Sequence, residues 1–154
     1  MSSVLLLACG NPLRGDDGFG LHLAETAALR FVPTQLRIVA AQQWTPEMAA
    51  EIALAEVVIF ADASVTTPPG QVVLIPLDTA QASKKPALGS IRETHHLNPA
   101  RLLACTEAWY DHRPRQAYLL TAGAVSLNHT DRLSPDMLKY AIPTALTHLE
   151  RLIA

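Results

Sequence analysis

The stretch from Leu5 to Gly20, read as LLLACGNPLRGDDGFG, limits the possible folds more than any other part of the chain. The apolar run Val4 to Leu7 reads as a short buried strand. Gly10-Asn11-Pro12 breaks that strand and turns the chain. The acids Asp16 and Asp17 come next, then Gly18 and Gly20, then a helical pattern. A strand that feeds a loop and then a helix N-terminus is where open α/β sheets keep their sites. Helix N-termini favour anions, because their free N–H groups point outward. Paired carboxylates at such a place point to the opposite partner, a cation.

The remaining chain continues the alternation of strand and helix. A first helix is expected from Asp17 or Gly18 to Arg30, with Leu21, Ala24 and Ala28 on its apolar face and Leu23 and Ala27 beside it. A second strand is expected over Leu36 to Ala40. Thr45-Pro46-Glu47 then opens a helix to about Leu54, with Thr45 as its N-cap. Val57 to Ala61 reads as a buried central strand that ends at Asp62-Ala63-Ser64. A turn at Pro68-Pro69-Gly70 leads to a strand over Gln71 to Leu77, expected to lie antiparallel beside the preceding one. Asp78 to Glu93 reads as an exposed loop. Asn98-Pro99 opens a helix to about Trp109, and Ala117 to Ala124 forms the fifth strand. Ser134-Pro135 opens the last helix, with Leu138, Ala141, Ala145, Leu149 and Leu152 on one stripe and Pro143 bending it. This order predicts an α/β fold, a three-layer α/β/α sandwich on a mostly parallel sheet.

Length and composition narrow the function classes. A chain of 154 residues, about half of them apolar, suits a single domain over 1–154 with a real core. The net charge of -2, without a basic or acidic run, argues against nucleic acid or a membrane surface as partner. Cys9 and Cys105 lack metal-ligand spacing, so a reduced, cytoplasmic chain is expected. The first apolar run is too short for a signal peptide, and no stretch approaches the roughly 20 apolar residues of a membrane span. No apolar stripe is left over, so a monomer is expected.

Asp17 and Asp62 fall at strand ends, which share one edge in a parallel sheet, and a loop can bring His95 to them. Two carboxylates and an imidazole suit a borderline divalent ion with an open position, such as zinc or nickel. Asp16 and His96 are the adjacent alternatives. Each residue also has a plainer reading: the acids as helix caps or turn residues, His95-His96 as a solvated pair. Gly10, Gly15, Gly18 and Gly20 give neither G-x-G-x-x-G, since residue 23 is Leu, nor a phosphate loop with Lys-Ser/Thr. Ser64 is in no nucleophile elbow, and neither cysteine shows a cause for a lowered pKa.

At these residues the sequence resembles the hydrogenase maturation endopeptidases. That family begins with a strand and then Gly-Asn-x-Leu-x-x-Asp-Asp/Glu-x-x-Gly, matched here by Gly10-Asn11-Pro12-Leu13-Arg14-Gly15-Asp16-Asp17-Gly18-Phe19-Gly20. An apolar strand ending in Asp-Ala follows, here Ile59-Phe60-Ala61-Asp62-Ala63, with a Pro-Gly turn at Pro69-Gly70. His95 precedes a helix, and Leu133-Ser134-Pro135 precedes the last one, both as in the family.

The resemblance implies a twisted, mostly parallel five-stranded sheet with helices on both faces. It implies a metal site of Asp17, Asp62 and His95. On mechanistic grounds Asp16 is expected beside them, orienting a ligand or taking a proton. The resemblance further implies removal of a C-terminal extension from the large-subunit precursor of a nickel–iron hydrogenase, with the nickel brought by that precursor. Zinc or another divalent ion is the alternative metal. A non-cleaving chaperone or checkpoint for the same precursor is the alternative function. The chain departs from the family at Ala40-Ala41-Gln42-Gln43-Trp44-Thr45, where many members carry Asp-Gly-Gly-Thr-x-Gly, so this loop is a candidate substrate-recognition surface. Arg132 replaces the usual glycine before Leu-Ser-Pro.

Overall fold

A computed structural model describes residues 3–79 and 97–154. The apolar run at the start forms β1 (Val4–Cys9), buried along its whole length. After a 3-10 turn at Gly15–Gly18 comes α1 (Phe19–Arg30), then β2 (Arg37–Ala41) and, after a second 3-10 turn at Pro46–Met48, the short α2 (Ala49–Ile52). The chain continues through β3 (Val57–Pro69), β4 (Val72–Leu77), α3 (Pro99–Tyr110), β5 (Gln116–Gly123) and α4 (Ile142–Ile153). The sheet has five strands in the order β2-β1-β3-β5-β4. The pairs β1–β2, β1–β3 and β3–β5 are parallel, and β4–β5 is antiparallel.

Each face of the sheet carries one apolar layer. Phe19, Leu23, Ala24 and Ala27 of α1 pack with Ala145, Leu146 and Leu149 of α4 on Leu6, Ile59 and Leu120. Met48, Ile52 and Leu102 cover Leu5, Leu7, Val58 and Phe60 on the other face. Alternate residues of the central strands thus feed opposite layers, and each large apolar side chain removed from water contributes about 1.5–3 kcal/mol. The three-layer α/β/α sandwich on a mostly parallel five-stranded sheet is the architecture the sequence predicts.

Several local expectations need correction. β4 is not the neighbour of β3, because β5 lies between them and β4 closes the edge antiparallel to β5. β3 does not stop at Ala61 but runs 13 residues, so Asp62 lies within it. Its far end is bent by a register shift between Ser64 and Pro69, where the Ser64 hydroxyl accepts from the Thr66 and Thr67 N–H groups. The second helix is a 3-10 turn plus one α-turn ending at Ile52, and the Thr45 side chain makes no capping bond. The Asn98 side chain does cap α3, accepting from the Arg101 N–H at 2.8 Å. Ala28 is exposed, and Phe19 joins Leu23, Ala24 and Ala27 on the buried face of α1.

A π-turn at Met137–Ala141 precedes Pro143, which has no amide hydrogen to donate within the helix. The extra residue per turn rotates the stripe, so Met137 is buried and Leu138 exposed. The loop assigned to Asp78–Glu93 falls almost wholly outside the described residues, as do His95 and His96.

Gly20 shows why the first motif needs its last glycine. A Cβ there would lie 2.3 Å from the Cys9 carbonyl oxygen and 3.1 Å from that of Ala61. The start of α1 therefore sits directly on the end of β1 and on β3 at Ala61. Gly20→Ala is expected to destabilise the fold by about 1–3 kcal/mol or more, as backbone must shift to admit a methyl group. Urea denaturation of the two proteins measures this, and an unchanged midpoint would contradict the packing described.

Candidate active site at the sheet rim

The carboxyl ends of the parallel strands open into a pocket of about 550 Å³, lined by Cys9, Arg14, Asp17, Gln42, Trp44 and Asp62 among others. β3 carries Asp62 to this rim, opposite Thr121 of β5. The loop after β1 carries Asp17, locked by the Asn11 N–H, which donates to both the carbonyl and the carboxylate of Asp17 at 3.2 Å. The turn is tight, since a Cβ on Gly10 would stand 2.2 Å from the Asp17 carbonyl oxygen.

The two acids face one another electrostatically. Burial pushes the Asp62 carboxyl up, the Asp17 charge adds to the rise, and its pKa reaches about 7. Hydrogen bonds from the Cys9 thiol and the Ala63 N–H offset only part of this. The Cys9 thiol is pushed up in turn, by burial and then by Asp62 and Asp17. It is therefore a donor to a carboxylate and not a nucleophile. Cys9 was visible in the sequence only as a strand residue. The signal that places it in the site is the register, which sets Ala8 against Ala61 and hence Cys9 beside Asp62.

Asp16 is used differently from the expectation that it orients a ligand or takes a proton. It is fully buried, and its carboxylate accepts from the N–H groups of Val125 (2.8 Å), Ser126 (3.0 Å) and Ser134 (2.7 Å) and from the Ser134 hydroxyl (2.8 Å). Burial alone would raise its pKa, but the donors at Ser134, Ser126 and Val125 outweigh it and hold the carboxyl below its ordinary value. With four donors on its carboxylate, Asp16 fastens the loop of the first motif to the segment entering the last helix. Ser134 of Leu133-Ser134-Pro135 is thus the partner of the first motif, across more than a hundred residues of chain.

The loop after β2 also reaches the site. Gln42 and Gln43 line the pocket, and Trp44 is buried with its Nε1–H donating to the Leu7 carbonyl at 3.3 Å and its ring edge-on to Phe60. Asp17 and Asp62 are therefore brought together, while His95, the third expected ligand, lies outside the described residues. Among the described residues no group of three His, Cys, Asp or Glu side chains forms a metal site. Two carboxylates repelling across one pocket suit a cation between them.

No protein-family model matches the sequence, and no curated protein matches it. Solved structures do. The crystal structure of the NiFe hydrogenase maturation protease HycI from Thermococcus kodakarensis KOD1 aligns with a TM-score of 0.71 and 21% identity, covering 97% of this chain and 91% of that one. The fold is that of the hydrogenase maturation endopeptidases. The hydrogenase 2 maturation peptidase from a Thaumarchaeota archaeon aligns at 0.68 and 22% identity, over 97% of both chains. The hydrogenase maturating endopeptidase HybD from E. coli aligns at 0.66 and 21% identity, over 97% of this chain and 93% of that one. At these identities the likeness is one of fold. No helix among the described residues is long and apolar enough to cross a membrane.

Two outcomes follow for stability. Asp16→Asn strips a buried acceptor from its donors and is expected to cost about 2–4 kcal/mol in denaturant unfolding. Because the folded pKa of Asp16 is lowered, its contribution is complete at neutral pH and is lost only in acid, below the ordinary carboxylate value of 3.8. Asp62 has the opposite sign. Its folded pKa lies above the ordinary 3.8, so stability falls as pH rises toward and through about 7. Asp62→Asn is therefore expected to raise the melting temperature of the metal-free protein at pH 8. The ceiling is about 4 kcal/mol, set by the rise from 3.8 to about 7. A lower melting temperature at pH 8 would contradict the repulsion between Asp62 and Asp17.

Proposed function

We propose that this protein is an endopeptidase that removes a C-terminal extension from the nickel-loaded large-subunit precursor of a nickel–iron hydrogenase. The observation that carries the reading is the meeting of Asp17 and Asp62 at one pocket, in a fold shared with maturation proteases. In this reading the nickel is part of the substrate. Asp17 and Asp62 are the carboxylates that meet it, and His95 is the third ligand that the family resemblance implies.

The chemistry required is peptide hydrolysis, which needs a positioned water and a polarised carbonyl. The rim pocket offers room for both beside the paired acids. Each acid is held by main-chain donors, Asp17 by the Asn11 N–H and Asp62 by the Ala63 N–H, so neither has to reorganise when the substrate arrives. A cation seated between them removes the repulsion that raises the Asp62 pKa. Loading of the precursor and completion of the site are then one event, and an unloaded precursor finds only two repelling carboxylates. Specificity for the finished client follows from that coupling. A reduced, cytoplasmic setting and a monomeric state belong to the same proposal.

Incubation with nickel-loaded precursor, followed by intact-mass spectrometry, tests the reading. The expected result is loss of a C-terminal peptide, with no change for nickel-free precursor. Asp17→Asn and Asp62→Asn are each expected to slow processing at least about 100-fold, some 2.7 kcal/mol of transition-state stabilisation. A stable complex with unchanged precursor mass would replace the protease by a non-cleaving checkpoint protein. Processing left intact by both substitutions would remove the site from the chemistry.

A further inference from the structure

The loop that carries Asp17 is closed at its first residue. Asn11-Pro12-Leu13-Arg14 forms a β-turn in which the Arg14 N–H donates to the Asn11 carbonyl at 3.2 Å. Asparagine at the first position and proline at the second suit such a turn. The Asn11 side chain adds a second closure, its Oδ1 accepting from the Leu13 N–H at 3.0 Å. The chain then turns again, with the Asp17 N–H donating to the Arg14 carbonyl at 3.1 Å. These two turns fold the segment back on itself, and the Asn11 N–H meets both the carbonyl and Oδ2 of Asp17.

Hydrogen bonds rather than burial hold the tip of this loop, since Leu13 is 64% exposed. The Leu13 carbonyl accepts from the Thr130 N–H at 3.1 Å, which ties down the outer side of the turn. The inner side depends on Asn11. Its Oδ1 bond fixes the residue with respect to the turn that follows, and Asp17 returns along that turn. The Asn11 N–H is shared between two acceptors at 3.2 Å each, so a small change in the turn loosens its hold on the carboxylate.

We propose that Asn11 is the positioning residue for Asp17. The side-chain bond to Leu13 keeps the loop in the shape that presents the Asn11 N–H to the Asp17 carboxylate, and so sets the direction in which that carboxylate meets the substrate. This rests on the endopeptidase reading above. Asp17 lines the pocket and Asn11 does not, so the asparagine acts through its neighbour. An aspartate at residue 11 would accept the same bond but add a negative charge to the residue bonded to Asp17. Asparagine supplies the acceptor without that charge.

Asn11→Ala removes the side-chain acceptor and leaves the main-chain N–H in place. Its kcat/KM for nickel-loaded precursor is expected to fall at least about tenfold, because a displaced binding group is costly to the reaction. Asn11→Ser, which offers a neutral acceptor for the same bond, is expected to return to within about threefold of wild type. In a chain already carrying Asp17→Asn, Asn11→Ala is expected to cost less than about twofold, since residues acting through one group do not add. Wild-type kinetics for Asn11→Ala, an equal loss in Asn11→Ser, or a tenfold loss in both backgrounds would overturn the proposal and leave the endopeptidase reading standing. Absence of processing by the wild-type protein would overturn that reading instead. The free protein tests the positioning independently of processing. Three-bond NMR couplings about χ1 of Asp17 are expected to report one rotamer in wild type and averaged rotamers in Asn11→Ala. One unaveraged rotamer in both, or averaging in wild type, would overturn the proposal.

Discussion

The rim of this molecule depends on one buried carboxylate. Asp16 sits without solvent between the first loop and the segment before the last helix, and four donors from Val125, Ser126 and Ser134 converge on it. A buried anion is tolerated only where its hydrogen bonds replace water, and here they do. The same loop carries Asp17, its immediate neighbour, so the placement of one acid fixes the approach of the other. The Gly15 N–H, which donates to the Thr130 carbonyl at 2.9 Å, and the Asp16 N–H, which donates to Ser126 at 2.9 Å, extend the lashing along the main chain. Of the adjacent acids of the first motif, Asp16 anchors the loop and Asp17 lines the pocket.

A second constraint is the unequal length of neighbouring strands. β1 leaves the sheet after Cys9, where Gly20 of α1 lies against the Cys9 carbonyl. β3 runs on past Ala61, paired with β5 as far as Ser64, where its register shifts. The difference in length opens the pocket and puts Asp62 on its wall. Trp44 closes the far side by bonding back to Leu7 and packing on Phe60. The site is therefore a gap built into the sheet at the switch between strands, as expected for open α/β folds.

The layers, the mostly parallel sheet and the positions of Asp17 and Asp62 were legible in the sequence, because apolar runs and strand-end acids are local signals. The role of Asp16 was not. Its partners lie more than a hundred residues away, and an acid ahead of a helix looks alike whether it caps, binds or anchors. Cys9 was also hidden, since only the register of β1 on β3 makes its thiol a neighbour of Asp62. The edge position of β4 escaped local reading because the strand that separates it from β3 comes much later in the chain. Met137 replaced Leu138 in the core because a π-turn adds a residue that helical periodicity does not count. His95 rests on the family resemblance alone.

The central claim is that Asp17 and Asp62 receive a nickel ion carried by the substrate. Nickel-edge X-ray absorption on the precursor, alone and in complex with this protein, tests it most directly. New oxygen ligands are expected in the nickel shell on complex formation, absent when the complex is made with a chain carrying Asp17→Ala and Asp62→Ala. A nickel shell identical in the free precursor and in the wild-type complex would contradict the account.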